Sequence, residues 1–300
     1  MTLVLSRRRF DDTARRFGNA VSDRTHHLWV ERRGGAWSVG FVERGRWLAH
    51  AKRAAGAHGL VLYVHGYNTR QPAMFERLLS VERGLKAGGF RGAVAGFDWA
   101  SDGVVYGYDY DRQDAARIAP GLVADGIRPL LAHVAGGDVS VLAHSMGCYL
   151  AAHALAGGGP RWTLRNLLFT AADVDAAQLK RQAPWGRGIA ARAKRFTNYH
   201  CPHDGILRIA RVVHGNRPRA GRAGLIEPAR PPFHDVRCGA QYHRDVAPAA
   251  RGRVVSHNWW FLSPGFFRDA ALVLGGADPA TLPTRRPTLG GDQMLFAGGA

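Results

Sequence analysis

Acidic residues, lysine and cysteine are all scarce in this chain, and each shortage excludes something. Asp and Glu number 23 against 41 Lys and Arg, for a formal net charge of +18 over 300 residues. Arginine supplies most of it, in scattered groups: Arg7 to Arg9, Arg32 and Arg33, the neighbourhood of Arg192 and Arg195, and Arg217 to Arg222. Such a field draws in anions, whether nucleic acid, acidic lipid or an anionic substrate. No nucleic-acid motif or aromatic stacking pattern accompanies it, and scattered charges suit a solvated surface, so no specific nucleic-acid partner is expected. The three cysteines, Cys148, Cys201 and Cys238, form no CxxC pair and no even disulfide framework. Free thiols suit a reducing compartment, and the expected location is cytoplasmic. No apolar run reaches the roughly 18 residues that a membrane helix needs. Ser6-Arg7-Arg8-Arg9-Phe10 superficially suggests a twin-arginine export signal, but Asp11-Asp12-Thr13 stands where an apolar region belongs. The pairs His26/His27 and His200/His203 lack HExxH spacing, so neither metal nor cofactor is expected.

The chain does have apolar content: 46% of residues are hydrophobic, with eight Trp, thirteen Phe and eight Tyr, enough for one substantial core. Residues 1–25 are polar and Arg-rich and are expected to form a basic surface arm. A single α/β domain is expected over 26–275, followed by a loose Gly-, Pro- and Thr-rich tail over 276–300. Strand-like pieces flank Gly34-Gly35 as a hairpin would. From Gly59 onward, apolar strands at 60–64, 93–97, 139–143, 164–170 and 195–200 alternate with helical stretches. Those stretches include 71–86, a long one at 109–134 that Pro120 or Pro129 interrupts, and 146–156. Continuous apolar strands alternating with helices predict a mostly parallel central sheet covered by helices on both faces.

Ala143-His144-Ser145-Met146-Gly147 directly follows one of those strands and directly precedes a helix. This is the G-x-S-x-G elbow with alanine in its first small position. The spacing is dictated by chemistry. A serine on a very tight strand-to-helix turn presents its hydroxyl clear of the sheet, and only small residues fit two positions either side. Ser145 is therefore the expected nucleophile. The amide of Met146 and one from the loop His65-Gly66-Tyr67-Asn68, with Tyr67 as donor, are the expected oxyanion hole. His65 itself is expected to be structural.

In such folds the acid and then the histidine follow the serine. Asp204, at the end of the strand 195–200, is the first choice of acid, with Asp173 and Asp175 as secondary candidates. Position, late in the chain and just after the short β-prone stretch at Val254-Val255, favours His257 as base over His214, His234 and His243. Tyr106, Tyr108, Trp99, Trp259 and Trp260 are aromatic pocket candidates, although such residues more often pack a core.

Seven segments together resemble the bacterial alpha/beta hydrolases of unassigned function: VLYVHGYNTR (61–70), FDWAS (97–101), YDYDRQDA (108–115), LAHSMG (142–147), AADVDAAQL (171–179), HDGILRIARVVHG (203–215) and SHNWWF (256–261). The resemblance implies an α/β-hydrolase fold with Ser145, Asp204 and His257 as the triad, and Asp173 and the Tyr108 region near the pocket. Ala143 departs from the elbow glycine, and 217–252 has no evident counterpart. The expected activity is hydrolysis of a carboxylic ester or thioester of a small-molecule or acyl substrate, with the arginines suggesting an anionic one. Acyl transfer is a close variant, and a basic binding protein on the same scaffold is the alternative.

Overall fold

The computed structural model describes residues 1–101, 107–289 and 292–298. Its strands are β1 (Thr2–Asp11), β2 (Arg16–Arg33), β3 (Ala36–Phe41), β4 (Leu60–Val64), β5 (Ala93–Asp98), β6 (Val139–His144), β7 (Leu167–Thr170), β8 (Phe196–His200), β9 (Phe233–Arg237), β10 (Arg285–Pro287) and β11 (Gln293–Leu295). Among the described residues they form one eleven-stranded sheet, ordered β10-β11-β9-β8-β7-β6-β4-β5-β1-β2-β3. From β11 to β1 every neighbouring pair is parallel. Strands β2 and β3 extend one edge antiparallel, and β10 does so at the other.

The helices are α1 (Arg44–Ala55), α2 (Gln71–Ala87), α3 (Tyr108–Gly121), α4 (Arg128–His133), α5 (Met146–Ala156), α6 (Pro184–Arg192), α7 (Gly205–Val213), α8 (Ala220–Ala223), α9 (Gly239–Asp245), α10 (Arg253–Asn258) and α11 (Pro264–Leu274). Between α3 and α4 the chain stays helical through a wider π-type stretch, Leu122–Ile127. That stretch lies between Pro120 and Pro129, neither of which has an N–H to donate, and the wider turn is one way to accommodate them.

Burial follows from strand geometry. Every residue of β4 and β6 is buried, because successive side chains point to opposite faces and both faces are covered. Leu62, Val64 and Val141 join one core layer with Leu150 of α5. Val61, Tyr63 and Leu142 join the other with Phe267 of α11. The alternating parallel architecture expected from the sequence is what the fold contains.

Three expectations give way. Residues 2–11 are no surface arm: β1 lies between β5 and β2, and Val4 and Leu5 are fully buried. The apolar run Leu3-Val4-Leu5 decides this, and Arg8, also fully buried, is neutralised inside by Asp98. The tail is not loose throughout 276–300, since β10 and β11 close one edge of the sheet and Arg285 is buried against Asp269. Finally, the β-prone Val254-Val255 lies in α10 with both valines exposed. The helical turn buries Ser256 and His257 instead.

Candidate functional site

After β4 the chain adds β5 on one side, then crosses back to place β6 on the other. Such a reversal opens a crevice at the carboxyl ends of the two strands. Into it run the loop after β4, beginning at His65, and the turn after β6, carrying Ser145.

Ser145 has φ 55° and ψ −122°, a strained conformation for a residue with a side chain. Its amide donates to the Thr170 carbonyl (3.0 Å), and its carbonyl accepts from the amides of Cys148 (3.0 Å) and Asp173 (3.2 Å). These bonds from β7 and α5 fix the turn. A Cβ on Gly147 would lie 2.4 Å from the His65 carbonyl oxygen, and one on Gly66 would lie 2.8 Å from the Ser145 Cβ. The elbow and the loop bearing Tyr67 are thus in close contact, which only glycine at these two positions permits.

His257 arrives from α10, and Asp204 from the turn between β8 and α7. Ser145 Oγ lies 2.9 Å from His257 Nε2, and His257 Nδ1 lies 2.7 Å from Asp204 Oδ2. With Asp204 ionised, Nδ1–H donates to the carboxylate and Nε2 is left to accept the serine proton. The other Asp204 oxygen accepts from the Leu207 amide (2.8 Å) and caps α7. Asp204 is fully buried, and Ser145 and His257 are 6% exposed. The Arg222 guanidinium grips the Asp204 carbonyl at 2.7 Å, and Ser256 Oγ accepts from the Gly205 amide at 3.0 Å, tying α10 to this turn.

The secondary acids have other duties. Asp173 binds Arg219 Nε (2.7 Å) and accepts a very short hydrogen bond from the Tyr108 hydroxyl, which accepts in turn from His214 Nε2 (2.7 Å). Burial would raise the Asp173 carboxyl, but the Arg219 charge together with the Tyr108 hydrogen bond and the nearby His214 and Arg112 outweighs it and holds the group below its ordinary value. Burial, then the Asp173 charge, pushes the Tyr108 hydroxyl far up, while burial and then Arg219 lower His214. Asp175 caps a short helical turn through the Ala177 amide and faces Arg217 at 3.6 Å. Beside this cluster, Arg112 lays its guanidinium over the Tyr149 ring, 3.8 Å from the centroid. Its Nη1 is buried without a hydrogen-bond partner among the described residues.

Of the aromatic candidates, Tyr108 reaches this site, its ring 5.4 Å from that of Tyr67. Trp99 is fully buried, stacked on His65 and bonded through Nε1 to the His65 carbonyl. Trp259 and Trp260 pack against each other in the core. Tyr106 lies outside the described residues. His65 accepts from the Trp99 amide at Nε2 and donates from Nδ1 to the Gly66 carbonyl, a neutral imidazole bracing the loop. Burial lowers its pKa.

Comparison with family models matches residues 43–264 to the family described as alpha/beta hydrolase of unknown function (DUF900). The chain belongs to this family. No curated protein matches it. Strands β1 to β3 of this DUF900 member precede the matched span, as do Arg8 and its partners on the amino-terminal side. Among the described residues no group of three or more His, Cys, Asp or Glu could hold a metal ion, and no helix is long and apolar enough to cross a membrane.

Three residues around the site escaped the sequence reading. Arg8 bonds Asp98 (2.7 Å), the Thr69 carbonyl (2.6 Å) and the Ser101 carbonyl (3.2 Å), anchoring the loop that carries Tyr67. His144 donates from Nε2 to the His257 carbonyl at 3.0 Å. Arg219 is delivered by α8, which is stitched to the end of β7 through Ala220 N to Val174 O (2.8 Å) and Gly221 N to Ala172 O (2.9 Å). Arginines in an Arg-rich chain give no local signal. The apolar run ahead of Arg8 was the one available clue.

Proposed function

We propose that this protein is a serine hydrolase that cleaves carboxylic esters or thioesters through an acyl-enzyme. The observation that carries the reading is the unbroken series of contacts from Ser145 Oγ through the His257 imidazole to the Asp204 carboxylate, set on a strained elbow. In the first half-reaction His257 Nε2 takes the Ser145 proton as Oγ attacks the acyl carbon. Asp204 holds the imidazole in the required tautomer and stabilises its cationic form. The oxyanion is assigned to the amides of Met146 and Tyr67, a pairing supported by the close approach of Gly66 to Ser145. The imidazolium then protonates the leaving alcohol or thiol. In the second half-reaction His257 activates water, which attacks the acyl-enzyme and releases the acid and free Ser145.

An anionic substituent on the substrate suits the unsatisfied Nη1 of Arg112 beside Tyr108. The reading is tested with a fluorophosphonate probe, expected to label the wild-type protein and not Ser145→Ala. Labelling that survives the substitution rejects Ser145 as nucleophile. A panel of p-nitrophenyl esters, neutral acyl chains against a succinate monoester, then reads chain length and charge preference. Arg112→Met is expected to raise KM for the succinate ester about tenfold and leave the neutral esters unchanged, in keeping with one lost charge-assisted bond of about 1.5–3 kcal/mol.

A further inference from the structure

Against the Asp204 turn lies a cavity of 510 Å³, lined among others by Arg208, Arg222, Arg251, Arg253, His203 and His243. No Asp or Glu lines it. The nearest triad carboxylate, Asp204, is committed to His257 and to the start of α7.

The four arginines divide into two kinds. Arg222 is fixed by its bond to the Asp204 carbonyl, and Arg251 by bonds to the carbonyls of Val246 (2.9 Å) and His243 (2.8 Å). The guanidiniums of Arg208 and Arg253 are exposed and form no hydrogen bond or ion pair among the described residues. His203 and His243 meet Nε2 to Nε2 at 2.9 Å, so one donates to the other and at least one is neutral. Burial lowers the pKa of His203, and its neighbours His243, Arg222, Arg237 and Arg251 lower it further. Four guanidiniums facing one concavity repel one another, and a bound polyanion converts that repulsion into attraction.

We infer that this cleft binds a small ligand bearing two adjacent phosphate groups. A diphosphate matches the arrangement of two fixed and two free guanidiniums, because Arg pairs bidentately with phosphate oxygens. The volume falls in the range of small-molecule sites, about 300–1,000 Å³, so there is room for a substituent beyond the phosphates. The cleft is separate from the Ser145 crevice and does not rest on the hydrolase reading. It does share a wall with it: Arg222 holds the Asp204 turn, and Arg253 begins the helix that carries His257.

The test is isothermal titration of the full chain, as Ser145→Ala, with inorganic pyrophosphate at constant ionic strength. One saturable site is expected. The double variant Arg208→Ala/Arg253→Ala should weaken it at least tenfold, while Arg91→Ala, which removes an exposed arginine elsewhere, should leave it unchanged. Absence of saturable binding overturns the proposal. So does undiminished binding by the double variant, equal weakening by Arg91→Ala, or orthophosphate binding as tightly as pyrophosphate. Because Ser145→Ala is used throughout, failure here leaves the hydrolase reading untouched, and failure of that reading leaves this one untouched.

Discussion

At the scale of single residues, the site depends on groups that hold others in place. Asp204 both orients His257 and caps α7. In Asp204→Asn the amide can keep the cap but no longer selects the Nδ1–H tautomer, so kcat is expected to fall by about 10³–10⁴ with little change in thermal stability. Steady-state ester hydrolysis beside a melting curve checks both halves of that statement. Arg8 presents a different case. Arg8 and Asp98 are both fully buried, and burial alone would raise the Asp98 carboxyl. The Arg8 charge instead holds it well below the usual carboxylate range. Removing one partner strands the other charge, so Arg8→Met is expected to cost about 3–5 kcal/mol in urea unfolding. Arg8→Met/Asp98→Asn should recover part of that loss. A single variant as stable as the wild type would mean that Arg8 does not brace the loop.

Among the elements, the contact that matters most is between the start of α5 and the end of β4. A methyl group on Gly147 would sit 2.4 Å from the His65 carbonyl oxygen and 2.6 Å from that of Val64, both backbone atoms that cannot swing aside. Gly147→Ala is therefore expected to push α5 away from β4, at a cost of about 1–3 kcal/mol, and to displace Ser145 from the loop bearing Tyr67. The measurable result is loss of fluorophosphonate labelling in a protein whose circular dichroism is still native. Normal labelling would show that the elbow tolerates a wider approach. The segment 217–224 shows a second elemental effect. Its chain is hydrogen-bonded to the end of β7, and this turns Arg219, one of many arginines, into the buried partner of Asp173.

For the molecule as a whole, the pH dependence of stability follows from histidines that folding keeps neutral. Burial lowers the pKa of His65 and pushes His144 well down, and it brings His234 to about 4. In the unfolded chain each takes up a proton near pH 6.5. Below that pH the unfolded state binds more protons than the folded one, so stability falls as pH drops from about 6.5 toward 4. The slope approaches about 1.4 kcal/mol per pH unit for each proton excluded. Asp98 acts further down: with a depressed folded pKa, its contribution is present above the ordinary carboxylate range and is lost as pH falls through the folded value. Urea midpoints at pH 7, 5.5 and 4.5 should decline in that order. A flat profile would mean that the three imidazoles are not held neutral.

What the sequence by itself determined about this DUF900 member was local: the alternation of apolar strands with helices, and the strand-serine-helix elbow between two small residues. Burial on both faces and a strained turn leave their marks within a few neighbouring positions, so they are readable without knowing what lies opposite. The tertiary structure alone decided which acid meets which histidine. Asp204 and Ser145 lie 53 and 112 residues from His257, and only the crossing of the chain at β4 and β6 brings them to one edge. It also decided that Arg8 and Arg285 are interior while Arg208 and Arg253 are not. An arginine is buried where a carboxylate from a distant strand or helix is waiting for it, and nothing next to it in the chain records that partner.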